Sequence, residues 1–167
     1  MLHVIFSYFF GFPFTPCKYY IAPLRLRVSF FLLFTTYYLM GNNTENQISR
    51  NIVNSCYKIY NMLGPGLLES AYEEILCYEL AKFNYLIERQ KPIPLIYEEI
   101  KLNAGYRADI IVERKVIIEI KAIEYLAPVH KMQLLTYLKI SGIKLGLLIN
   151  FNVEILKDGI KRVVNNL

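Results

Sequence analysis

The sequence predicts an α/β domain, with a mixed central sheet flanked by helices. Three observations carry that reading. Two stretches with helical spacing precede residue 84. β-Branched runs follow between residues 86 and 123. A third helical stretch then separates these from an apolar run at residues 144–151. Strands and helices in that order bury best as a sheet with helices packed on its faces. The 167 residues suit one domain, long enough to bury a core without disulfide or metal staples.

Taken in order, residues 42–46 are polar and turn-like, and Thr44 is a fitting N-cap. Ile48, Ile52, Cys56, Ile59 and Leu63 then recur at helical spacing, and Gly64-Pro65-Gly66 stops the helix. A second helix is expected over residues 67–83, with Leu68, Ala71, Ile75, Leu76 and Leu80 near its buried face. Residues 86–96 read as a strand, and Pro92 and Pro94 confine it to a sheet edge. Residues 106–112 and 116–123 are β-branched runs around Glu113-Arg114-Lys115, the pattern of a hairpin. Pro128 suits the first turn of a third helix and Gly142 its stop. Residues 144–151 read as a strand, and residues 160–164 as a short last strand or turn. The order is ααβββαβ(β), without internal repeats or low-complexity tracts.

Charge by itself does not decide the function. Of the net +5, residues 1–40 contribute Lys18, Arg25 and Arg27 and no acid, while the rest holds 16 basic and 14 acidic residues. The body is thus nearly neutral. Three widely spaced cysteines, Cys17, Cys56 and Cys77, argue against a disulfide scaffold or a cysteine zinc site. They fit a reducing compartment, and the cytoplasm is the expected location.

Residues 1–40 differ from everything after them. They hold 13 of the 24 aromatics, and Gly11, Pro13, Pro16, Pro23, Arg25 and Arg27 break their apolar runs. The 13-residue run from Val28 to Met40 is shorter than the ~20 residues that cross a bilayer. The segment also lacks the basic start and small-residue cleavage site of a signal peptide. We expect residues 41–167 to form the single domain, with residues 1–40 upstream of a true start at Met40. A membrane-associating extension and an ordered part of the fold are the alternatives.

The informative residues are charges inside otherwise apolar strands: Asp109, Glu119 and Lys121. Alternation places Glu119 and Lys121 on one face. If residues 113–115 form the hairpin loop, Val112 pairs with Val116. Asp109 then falls opposite Glu119, ~5 Å away at Cβ. A one-residue slip would put the two on opposite faces. Neighbouring carboxylates repel, and burial adds to the cost. Lys121 could offset this, and so could a divalent cation, since Mg²⁺ takes carboxylate ligands while keeping waters and substrate phosphate. The competing reading is a solvated hairpin with a surface Glu–Lys pair.

Three motifs extend the pattern. Asp109, nine residues, then Glu119-Ile120-Lys121 resembles the signature of the PD-(D/E)XK nuclease superfamily. Gln133-Leu-Leu-Thr-Tyr137 resembles the Gln-x-x-x-Tyr motif of its RecB-like branch. Gly66-Leu-Leu-Glu69-Ser-Ala-Tyr72 resembles the motif that names the GxxExxY family, a small prokaryotic group within the superfamily. The likeness covers residues 45–167. It implies a restriction-endonuclease-like core of order αβββαβ and metal-dependent hydrolysis of phosphodiester bonds in DNA or RNA. Asp109, Glu119 and Glu69 would then ligate Mg²⁺ or Mn²⁺. Lys121 would orient the attacking water and stabilise the transition state. Gln133 and Tyr137, at i and i+4 on one helix face, would position the lysine or a phosphate. Nucleic acid is the implied partner, and a homo-oligomer or protein partner could add basic surface. The alternative function is a module that keeps the fold and binds nucleic acid or protein without turnover. Outside the resemblance, Glu69 suits the start of a helix, Tyr72 suits packing, and His130 suits an exposed helix start. Arg107, on the face of Asp109, either meets phosphate or balances the carboxylates.

Overall fold

Thr44 sets the start of the first helix. The computed structural model describes residues 43–102 and 106–167, so the expectations for residues 1–40 lie outside the described residues. The Thr44 hydroxyl accepts from the Gln47 N–H, and the Gln47 side chain accepts from the Thr44 N–H at 3.0 Å, a reciprocal capping box. Helix α1 (Glu45–Leu63) buries Ile48, Ile52, Cys56 and Ile59. The expected stripe ends there: Leu63 is exposed, at the last turn before Gly64 closes the helix at φ +67°.

Helix α2 (Glu69–Ala81) departs from the expected face. Its buried residues are Tyr72, Glu73, Leu76 and Leu80, whereas Leu68 is the exposed N-cap and Ala71 and Ile75 are only half-buried. Tyr72 sets the rotation. It stacks on Phe151 with ring centroids 4.2 Å apart, and its hydroxyl donates to the Gly64 carbonyl at 2.7 Å. Of the two tyrosines on the helix, Tyr72 is thus buried in the core while Tyr78 stays exposed.

Strand β1 (Ile87–Pro92) ends at its first proline. The chain then makes a small separate hairpin, β2 (Leu95–Tyr97) with β3 (Ile100–Leu102), which the sequence reading did not anticipate. There follow β4 (Arg107–Val112), β5 (Val116–Lys121), helix α3 (Pro128–Ser141), β6 (Leu145–Asn150), the one-turn helix α4 (Leu156–Gly159) and β7 (Ile160–Val164). Five strands form one sheet in the order β1-β4-β5-β6-β7. Only β5 and β6 pair in parallel, joined by α3; the other neighbours are antiparallel. Proline-containing β1 lies at an edge, as expected.

Alternation divides the sheet into two apolar faces. Ile110, Val112, Val116, Ile118 and Ile120 pack with α1 and α2. Ile111, Ile117 and Leu148 pack with Leu134, Tyr137 and Leu138 of α3. Gly146 lets α3 approach closely, since a Cβ there would lie 2.9 Å from the Leu134 side chain. The result is the mixed sheet flanked by helices that the element order predicts.

Candidate active site

The β4–β5 hairpin turns without glycine. The Lys115 N–H donates to the Val112 carbonyl at 2.9 Å, and Glu113 and Arg114 both take φ +53°. Two successive left-handed residues match the right-handed twist of the strands they join. The register is Val112↔Val116, Ile111↔Ile117 and Ile110↔Ile118. Its next step sets Asp109 opposite Glu119, but there the backbone pairing gives way to a side chain. Asp109 Oδ2 accepts from the Ile120 N–H at 2.8 Å. On the other side of β4 the pairing runs Arg89↔Ile110 and Lys91↔Ala108, skipping the position of Gln90 and Asp109. Asp109 therefore lies where both ladders open.

Glu119 is 3% exposed. Its Oε1 accepts from Lys121 Nζ at 2.7 Å, while its Oε2 is buried without a hydrogen-bond partner. Burial, then the Asp109 charge, push the Glu119 carboxyl above its ordinary range, with Lys121 opposing. Asp109 shifts in the same direction through burial, opposed by the Ile120 N–H. For Lys121, burial alone would favour the neutral amine. The Glu119 hydrogen bond and the charges of Glu119, Asp109 and Glu69 outweigh it, so the ammonium is held more firmly than usual. Burial and the Glu119 charge likewise raise the Tyr137 phenol, and Gln133 Nε2 donates to its oxygen at 2.7 Å. Glu69 approaches from α2, its Oε1 accepting from the Ala122 N–H at 3.0 Å, just past the end of β5. The six residues named from the sequence thus gather around the C-terminal end of β5.

Residues 46–163 match the sequence profile of the PD-(D/E)XK nuclease superfamily. The chain belongs to the PD-(D/E)XK nuclease superfamily. No curated protein and no solved structure matches it. Nucleases of the PD-(D/E)XK superfamily generally use divalent metals and act on nucleic acid. The donor chemistry suits such an ion: carboxylate oxygens are hard ligands, and the unpartnered Glu119 Oε2 is a buried acceptor that a cation would satisfy. Among the described residues no group of three His, Cys, Asp or Glu side chains is placed to hold a metal ion. Mg²⁺ in general takes only one or two carboxylates and keeps several of its waters.

Other residues fall outside this cluster. Tyr72 is core. His130 Nδ1 accepts from the Ala127 N–H at 3.1 Å, at the start of α3. Arg107 is exposed on β4.

Sequence reasoning missed three residues that support the cluster. Glu73 is buried and accepts from Arg89 Nε at 2.9 Å and from the Gln90 amide. Its i+4 spacing from Glu69 was the available signal. Gln90 reaches both Glu73 and Asp109. Asn150, fully buried beside Lys121 at the end of β6, donates to the Ile123 carbonyl at 2.7 Å and accepts from the Ile123 N–H at 3.1 Å. It anchors the chain just after Lys121, and a lone polar residue ending an apolar strand was its signal.

Proposed function

We propose that this chain is a nuclease of the GxxExxY type that hydrolyses phosphodiester bonds of DNA or RNA with Mg²⁺ or Mn²⁺. The observation that carries the reading is Glu119. It is a buried carboxylate in register with a second carboxylate, with one oxygen on Lys121 and the other unsatisfied. A solvated Glu–Lys pair would not be buried beside a second carboxylate, and an unsatisfied buried charge is costly. Asp109 and Glu119 would hold the ion, with Glu69 on its α2 side. A bound divalent cation stabilises charge on phosphoryl oxygens and makes water a stronger acid. Lys121, protonated, orients the water and donates to the oxygen that gains charge. Gln133 donates to the Tyr137 oxygen, which leaves the phenolic hydrogen free for an acceptor in the site. Two concavities, of about 490 and 380 Å³, are lined by neither carboxylate nor by Lys121 and lie apart from the cluster.

Calorimetric titration with Mg²⁺ and Mn²⁺, beside cleavage assays on single- and double-stranded DNA and RNA, tests this. Asp109→Asn and Glu119→Gln should each abolish most metal affinity, with little further loss in the double variant. Small additive losses would mean that no ion is shared. Lys121→Ala should bind metal at least as well as wild type and cleave about 10²–10³-fold more slowly. Metal binding by the wild type without cleavage of any of the four substrates would instead favour the non-catalytic binding module.

A further inference from the structure

Gln90 has a backbone that its residue type disfavours. It takes φ +47° in the middle of an edge strand, between the paired residues Arg89 and Lys91. In a regular strand its side chain would project toward α3, on the opposite face from Arg89. In the structure its Nε2 reaches a carboxylate oxygen of Glu73, on α2, and lies 3.4 Å from Asp109 Oδ1. Both acceptors are carboxylates, which fixes the NH₂ end of the amide toward them. That end has two hydrogens, one for each acid. Glu73 is itself held, since its other oxygen accepts from Arg89 Nε at 2.9 Å.

We propose that Gln90, braced by Glu73, is a positioning residue that fixes the Asp109 carboxylate from the α2 side of the sheet. The inference rests on the assignment of Asp109 as a metal ligand. Asp109 is then gripped at both oxygens, Oδ1 by Gln90 and Oδ2 by the Ile120 N–H. A carboxylate has about four lone-pair sites, so roughly two stay free for the site. The grip fixes the side-chain rotamer before any ion arrives. It also places N–H dipoles between two acids that would otherwise repel, for Glu73 is one of the charges acting on Asp109. A glutamine serving only an edge strand could satisfy its amide with water and keep an ordinary backbone. The left-handed conformation is what lets this amide serve two layers of the fold.

The test uses the full chain. Gln90→Gly keeps the left-handed backbone without steric cost and deletes the amide. Gln90→Asn keeps an amide too short to span both acids, which guards against an effect peculiar to glycine. In the metal-free protein, either variant should speed hydrogen exchange at the Ile120 amide by about tenfold, the order expected for a weakened hydrogen bond. Exchange at Ile118, within the paired part of the hairpin, should stay unchanged. Mn²⁺ affinity should fall about 10–100-fold, while the cleavage rate at saturating metal stays near that of wild type. Glu73→Ala should reproduce both effects, and Glu73→Gln, whose amide oxygen can still accept from Gln90, should largely restore them. Unchanged Ile120 exchange in both Gln90 variants would overturn the proposal. So would a lower maximal rate with unchanged Mn²⁺ affinity, which would make Gln90 a substrate contact. If the wild type binds no Mn²⁺, the nuclease reading fails, while the exchange data still decide whether Gln90 fixes Asp109.

Discussion

Burial and the facing Asp109 charge leave Glu119 with a raised proton affinity even after the Lys121 contact is counted. Asp109 is shifted the same way. Each acid therefore holds a proton in the folded chain at pH values where the unfolded chain has lost it. Such groups lower stability as pH climbs from the ordinary carboxylate range through the raised values, and the loss persists at neutral pH. Glu119→Gln approximates the protonated form at all pH values. It should raise the melting temperature of the metal-free protein at neutral pH and change it little near pH 4, as read by calorimetric melts. A lower melting temperature at neutral pH would mean that the Lys121 pair outweighs burial. In the wild type, stabilisation by added Mg²⁺ should grow with pH over the same interval, because the ion needs both carboxylates ionised.

Elements with local signals were legible in the sequence. The Thr44 cap, the α1 spacing, Pro128 at the start of α3 and Gly142 at its end each act over a few residues. The Val112↔Val116 register followed from a three-residue connection, and it brought Asp109 to Glu119. What failed depends on tertiary partners. Leu68 and Ile75 are as apolar as Leu76, and only the Tyr72–Phe151 stack decides which face of α2 is buried. Pro92 at the end of β1 and Pro94 just beyond it signalled an edge, while nothing local marked the β2–β3 hairpin. The left-handed backbone of Gln90 has no signature in residue type, and its partner Glu73 lies 17 residues away. Asn150 works between β6 and the segment after β5. Asn150→Ala should leave the N–H and carbonyl of half-buried Ile123 without their partner and cost about 1–3 kcal/mol. Urea melts would measure that cost, and hydrogen exchange should show faster opening at Ala122 and Ile123 than at Ile118.

At the scale of the whole molecule, the described residues between Ile48 and Val163 already supply two apolar clusters, one on each face of the sheet. A chain beginning at Met40 should melt cooperatively by itself, and loss of the transition would place the preceding segment in the core. No helix among the described residues is long and apolar enough to cross a membrane. The turn at Glu113 and Arg114 bears on the order of assembly. Strands β4 and β5 meet across three residues, whereas β5 and β6 must wait until residues 122–144 have formed their crossover. Hairpins close in roughly 1–10 μs, and pairing across long connections is slower. Asp109 and Glu119 should accordingly meet while water still screens them, with Lys121 already beside them on the same strand. Arg114 is exposed, and Glu113 is tied by its carboxylate to the Leu86 N–H at 2.6 Å. Arg114→Gly alone would relieve one strained dihedral and spare that tie. In stopped-flow refolding it should steepen the early gain of structure and leave the unfolding rate untouched, the mark of a turn already made at the barrier. The acids that make this sheet costly to bury would then be among the first pieces of it to assemble.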